Sequence, residues 1–150
     1  MKNGAEKFRL VITRRALESA LASSQATFPS EFIGLFRGTE TRKETRNGAL
    51  LKAKLDELII APFSEYGEGF SSYSDIFLPM HTGEIASFHS HPHPPAAPSR
   101  ADLAFFSRKG RFHFIACPPF DWRALGEDGK RCVRAFDSQG VEIEFEVVFK

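Results

Sequence analysis

Cysteine, charge excess and long apolar runs are all scarce in this chain, and each scarcity removes a class of protein. Two cysteines, Cys117 and Cys132, occur in 150 residues. They are too few and too far apart for a metal framework of the Cys-x-x-Cys kind. They are read as buried thiols at the mouth of one hairpin, where only an oxidising compartment or a hyperthermophilic source would favour a cross-strand disulfide. Twenty basic and nineteen acidic residues leave a net charge of +1. These charges are spread along the chain and give no footprint for nucleic acid or an anionic membrane. Met1 to Leu10 has no apolar h-region, and no apolar run approaches the ~20 residues that span a bilayer. The expected location is therefore the cytoplasm. What the chain does have is 42% hydrophobic content over 150 residues, which suits a single domain over 1–150 that buries a core without staples. No internal repeat, low-complexity tract or linker interrupts it.

Candidate chemistry concentrates between His89 and Asp102. A β-strand sends alternate side chains to opposite faces, so in Ile85-Ala86-Ser87-Phe88-His89-Ser90-His91 the two imidazoles share a face and can meet one cation. Pro92 ends the strand, and a proline-rich turn carries the chain to Ser99, which reads as the start of a helix with Asp102 in its first turn. Two imidazoles and one carboxylate are the ligand count of a catalytic zinc site that keeps its fourth position for water. Each part also has a bland reading. A His-x-His pair arises by chance on strands, and Ser99-Arg100-Ala101-Asp102 is also a plain capping sequence. Together the two parts favour a metal. Composition alone leaves iron open, because two histidines and a carboxylate also form the facial triad of non-haem oxygenases. His93, flanked by prolines, is read as an exposed loop residue.

The pattern His-x-His-Pro, six residues, Ser, two residues, Asp resembles the JAMM (MPN+) motif of zinc metalloproteases, and His89, His91, Pro92, Ser99 and Asp102 fill it without a gap. The family also has a glutamate on an earlier strand followed closely by a glycine in an apolar run. Glu31-Phe32-Ile33-Gly34-Leu35-Phe36 with Arg37-Gly38 looks like that element. From composition alone, Glu31 reads as an exposed strand-end carboxylate, and the family pattern reverses that preference. Other His-x-His families fit less well. A cupin needs a glutamate soon after the second histidine, where prolines and alanines stand here, and the amidohydrolase type belongs to a barrel of roughly 250 residues.

The resemblance implies an α/β fold: a single MPN-like (cytidine-deaminase-like) domain with a mixed, mostly antiparallel β-sheet flanked by two main helices. It implies one zinc ion per chain on His89, His91 and Asp102, with Glu31 as general acid and base. Ser99, beside the open position, would donate to the oxyanion, a role that competes with capping. The implied activity is that of a JAMM-type isopeptidase, cutting the amide after the C-terminal Gly-Gly of a ubiquitin-like modifier or a sulfur-carrier protein. The tail would lie extended beside an exposed strand edge. Little chain beyond the core follows Asp102, which points to a compact prokaryotic type and away from linkage-selective deubiquitination. Two alternatives stay open: a metal hydrolase of another, small-molecule amide, and a non-catalytic MPN scaffold.

Along the chain, Phe8 to Ile12 reads as a short strand and Thr13 as the cap of a helix over about Arg14 to Gln25. Arg37 to Gly48 reads as a charged connector ending in an Asn47-Gly48 turn. Ala49 to Leu58 is ambiguous, with an antiparallel return strand favoured at least from Asp56. Ser64 to Ser74, with Tyr66, Phe70 and Tyr73, reads as a flexible aromatic loop, and His81 as a turn residue. The second helix is expected over Arg100 to Arg108, burying Leu103, Ala104 and Phe106. His113 is expected on a strand face away from the site, and Trp122 as a cover for the core. Arg131 to Phe136 and Val141 to Phe149 are expected to form a hairpin, with Val141, Ile143, Phe145, Val147 and Phe149 on its core face.

Overall fold

A computed structural model describes residues 7–60, 84–107 and 110–150. The expected aromatic loop at 64–74, the turn with His81 and the end of the second helix at 108–109 lie outside the described residues. Chain order is β1 (Lys7–Thr13), α1 (Arg14–Thr27), β2 (Ile33–Thr45), β3 (Gly48–Ile59), β4 (Glu84–Ser90), α2 (Arg100–Phe106), β5 (Phe112–Ala116), β6 (Val133–Phe136), β7 (Glu142–Ile143) and β8 (Phe145–Val148). The strands form one sheet in the order β7-β6-β5-β4-β2-β3-β1-β8. It is mixed and mostly antiparallel: β2 pairs antiparallel with β3 and β4, as β6 does with β5 and β7, whereas β1/β3, β1/β8 and β4/β5 are parallel. Among the described residues no helix is long and apolar enough to cross a membrane.

The sheet curls around its core. Phe8 on β1 lies 5.8 Å from Phe112 on β5, and Phe114 on β5 lies 5.2 Å from Phe145 on β8, ring centroid to centroid. Yet β4, β2 and β3 intervene between β5 and β1 in the ladder. Phe36 sits at the centre, meeting Phe88 and Phe114 edge-on at 5.8 and 5.5 Å, the T-shaped geometry that aromatic quadrupoles prefer. Helix α1 begins where Thr13 Oγ1 accepts the Ala16 N–H at 3.2 Å, and it buries Ala16, Leu17, Ala20, Leu21 and Ser24 on one stripe. Trp122 packs against the core, as expected, and its Nε1 donates to Glu18 at 3.4 Å.

Two expectations are corrected. Arg37 to Gly48 is not a connector: β2 continues to Thr45, and β3 returns from Gly48 in unbroken pairing apart from a bulge at Arg37/Gly38. The polar composition of this stretch reports that its side chains are in water, while the backbone is satisfied by the ladder, with Ala49, Leu51, Ala53 and Leu55 buried on alternate positions of β3. Nor is Val141 to Phe149 one strand of a hairpin. β7 pairs with β6 and β8 pairs with β1, at opposite ends of the strand order. Glu144 alone separates them, so the curl brings the two sheet edges together there. Ile143, Phe145 and Val147 pack against the core, while Val141 and Phe149 are exposed.

At the bulge, a Cβ on Gly38 would overlap the Lys54 carbonyl and crowd Leu55 Cα. Gly38→Ala is expected to lower stability in urea unfolding by about 3 kcal/mol or more. Gly129→Ala, at φ +78° with nothing within 4 Å of the added carbon, should cost only the left-handed backbone penalty of about 1–2 kcal/mol. Equal losses for the two variants would show that the hairpin yields freely at the bulge.

Candidate metal centre

β4, α2 and β5 form a βαβ unit, and α2 lies over the sheet face that carries Ser87 and His89. His89 Nε2 and His91 Nε2 are 3.1 Å apart. Asp102 Oδ1 lies 3.2 Å from His89 Nε2, and Asp102 Oδ2 lies 3.3 Å from His91 Nε2. A tetrahedral cation with bonds of about 2.0–2.1 Å needs its donor atoms about 3.3–3.4 Å apart. The three side chains are thus spaced like edges of one coordination tetrahedron, and they are the group that could hold a metal among the described residues. His91 Nδ1 lies 3.0 Å from the Pro95 carbonyl oxygen. A carbonyl only accepts, so Nδ1 keeps its proton in either protonation state; the proton that Nε2 directs at Asp102 is the one a metal would displace, leaving the Nε2 lone pair towards the centre.

His89 is 1% exposed and Asp102 3%, so the carboxylate needs partners. Burial opposes its charge, but hydrogen bonds from His89 and His91 and from the Ser99 N–H hold its pKa well below the usual carboxylate range. The Ser99 N–H donates to Asp102 Oδ2 at 2.8 Å and the Asp102 N–H donates to Ser99 Oγ at 3.1 Å. This capping box starts α2 and orients the carboxylate. Turning Asp102 inward sets the phase of the helix. Phe106, four residues on, is buried as expected, and so is Phe105, three residues on, whereas Leu103 and Ala104 are exposed, contrary to expectation.

Glu31 stands just before β2, outside the donor cluster but within its field. Burial raises its pKa, the charges of His89 and His91 oppose the rise, and Asp102 adds to it. Its Oε1 is buried with no hydrogen-bond partner among the described residues. Ser90, which the sequence reading passed over, secures this segment to β4: its Oγ accepts the Phe32 N–H at 2.8 Å, and its own N–H donates to Phe32 O at 2.9 Å. The only signal for it was parity, which places Ser90 on the face opposite the histidines, where a buried hydroxyl must find a partner. His93 is exposed, as expected. His113 is not on a face away from the site. It stands in register with Ser87, so it shares the His89 face, because register partners in a parallel pair point the same way. Cys117 and Cys132 are buried free thiols at the β5–β6 mouth, where the Cys117 N–H donates to Cys132 O at 2.9 Å.

His89 on a central strand, His91 just past its end and a carboxylate on the crossover helix form a group that could hold a metal ion, and comparison with known proteins identifies the class. The family model for prokaryotic homologs of the JAB domain matches residues 13–126. A protein of Haloferax volcanii named a probable metalloprotease is 32% identical over 124 residues, covering 79% of this chain and 74% of that protein. The crystal structure of a JAB1/MPN domain protein from Archaeoglobus fulgidus superposes with a TM-score of 0.59 at 31% identity, covering 91% of this chain and 97% of that one. A structure described as JAMM, a metalloprotease-like zinc site in the proteasome and signalosome, superposes with a TM-score of 0.58 at 29% identity over 93% of this chain and 98% of its own. The chain belongs to the prokaryotic JAB/MPN domain family and is metalloprotease-like.

His91 can ligate only when neutral. Burial opposes its proton, but the Asp102 and Pro95 hydrogen bonds outweigh this and raise its pKa above the ordinary value. Metal binding must displace that proton, so zinc affinity should climb as pH passes up through the raised pKa and level off above it. Competition with a chelator is expected to give a weaker apparent Kd at about pH 6 than at about pH 8. Identical values would mean that His91 is not a ligand.

Proposed function

We propose that this chain is a zinc-dependent isopeptidase that cuts the amide after the C-terminal Gly-Gly of a ubiquitin-like modifier or a sulfur-carrier protein, acting in the cytoplasm. The observation that carries the reading is the triangle of His89, His91 and Asp102 donor atoms, with a Glu31 oxygen that has no partner among the described residues buried in its field. Zinc on these donors would supply a water whose pKa falls from about 15.7 to about 7. Glu31 takes the proton of the attacking water and passes it to the leaving amine. Its raised pKa suits both halves of that task, since a base that is too weakly basic cannot hold the proton in between. Asp102 and the Pro95 carbonyl keep His91 in the ligating orientation. Ser99 Oγ, at the mouth of α2, donates to the oxyanion of the tetrahedral intermediate. β4 is paired by β2 on one side and β5 on the other, so the strand edge that receives the extended tail belongs to another element.

The test is to incubate zinc-loaded wild type and Glu31→Gln with modifiers ending in Gly-Gly, joined to lysine or fused linearly, and to weigh the products. Cleavage after the terminal glycine is expected for wild type, and a loss of about 10²–10⁴-fold for Glu31→Gln. Turnover of low-molecular-weight amides alone would select a small-molecule hydrolase, and bound zinc without any turnover a scaffold.

Ser99→Gly separates the two roles of that residue. Glycine keeps the N–H that donates to Asp102 and is a tolerable cap, costing a few tenths of a kcal/mol, roughly, in stability. If the hydroxyl serves the oxyanion, kcat should fall by about 10²–10³. An unchanged kcat would assign Ser99 to the cap alone.

A further inference from the structure

His113 has no part in the chemistry above, yet it is 0% exposed and meets Ser87, Gly110, Phe105 and Phe106. Its Nε2 lies 3.1 Å from the Gly110 carbonyl oxygen, which can only accept, so Nε2 carries the proton. Nδ1, 2.7 Å from Ser87 Oγ, therefore accepts the serine hydroxyl. The ring stacks on Phe106 at 4.1 Å with an interplanar angle of 8°, and Phe105 meets it edge-on at 5.8 Å. Burial pushes its pKa down to about 4, so the ring is neutral and this tautomer is fixed.

These partners belong to the segments that carry the metal donors. Ser87 precedes His89 by two residues on the same face of β4. Phe106 follows Asp102 by four residues on the same face of α2. Gly110 lies two residues before β5. With seven residues, α2 is too short to hold its own position through helix propensity, and its placement must come from packing. Few side chains other than histidine offer a flat face for Phe106 together with an acceptor for Ser87 and a donor for Gly110. Phenylalanine would keep the stack and lose both hydrogen bonds. Leucine would lose all three.

We propose that His113 is a positioning residue that fixes how far α2 stands above β4, and so sets the distance of Asp102 from His89 and His91. The proposal rests on the reading of those three residues as a metal site. Its effect falls on metal affinity and coordination geometry, since a fully buried ring cannot touch a substrate.

The test compares wild type, His113→Leu, His113→Phe, and His113→Phe combined with Ser87→Ala, which removes the serine hydroxyl left without its acceptor. Zinc affinity is measured by chelator competition, and the ligand field by the visible spectrum of the cobalt-substituted protein. Leu17→Ala, in the core on α1, is the control: it destabilises the fold through a cavity at a residue that belongs to neither β4, β5 nor α2. All His113 variants are expected to bind zinc about 10- to 100-fold more weakly and to shift the cobalt bands, whereas Leu17→Ala keeps wild-type affinity and spectrum. A folded double variant with wild-type affinity and spectrum would overturn the positioning role. So would a Leu17→Ala protein that loses affinity in step with its stability, as the His113 variants do. Wild type that binds no zinc would overturn the metal reading itself, and the positioning role with it.

Discussion

The arrangement depends on one buried carboxylate. An unpaired carboxylate taken out of water is among the most costly groups a fold can bury. Asp102 is nevertheless 3% exposed, held between two imidazoles and a backbone N–H. Satisfying it imposes the rest. The capping box with Ser99 fixes where α2 begins, the inward turn of Asp102 fixes which residues of α2 face the sheet, and Phe106 is thereby delivered onto His113. A hydrophobic helix of the same length could rotate or slide by a turn at little cost. This one cannot, because any other phase would leave the carboxylate among apolar groups or in water away from its partners.

The site was legible in the sequence because its parts are local. Strand parity places His89 and His91 together, the prolines end the strand, and the spacing from Ser99 to Asp102 is a cap within a single turn of chain. Each of these is decided by residues close in sequence, and the structure brings the donor atoms together. Glu31 was different. Nothing near it in sequence distinguishes a strand-end carboxylate in water from one buried beside the histidines. The family resemblance supplied what periodicity could not, and the link that keeps it there, Phe32 to Ser90, spans 58 residues.

The misread elements share a physical cause. Polar content over Arg37 to Thr45 reports side-chain solvation, whereas strand formation depends on a backbone ladder to a partner that a local window does not contain. The alternation from Val141 to Phe149 shows a period of two but cannot show that the chain changes partner at Glu144, since β7 and β8 keep the same period on different neighbours. In α2 the apolar stripe was placed by hydrophobicity, with Leu103 and Ala104 inward. The phase was instead set by a charged residue, because leaving that carboxylate without its partners costs more than exposing a leucine.

Strand β4 joins these threads through its two faces. On one, Ser87 and His89 turn towards α2, with His91 just past the strand end. On the other, Phe88 packs on Phe36 and Phe32 while Ser90 accepts the Phe32 N–H. The two candidate histidine donors and the segment carrying the candidate base are therefore fixed to the same strand from opposite sides. Their relative position follows from the width of one strand and its pleat, quantities that β-sheet geometry holds within narrow limits. An arrangement that placed Glu31 on a free loop would leave that spacing unfixed, and restoring it would carry an entropic cost. Here it is set once, when β2 zips onto β4, and the apolar contacts that stabilise the core also preorganise the centre.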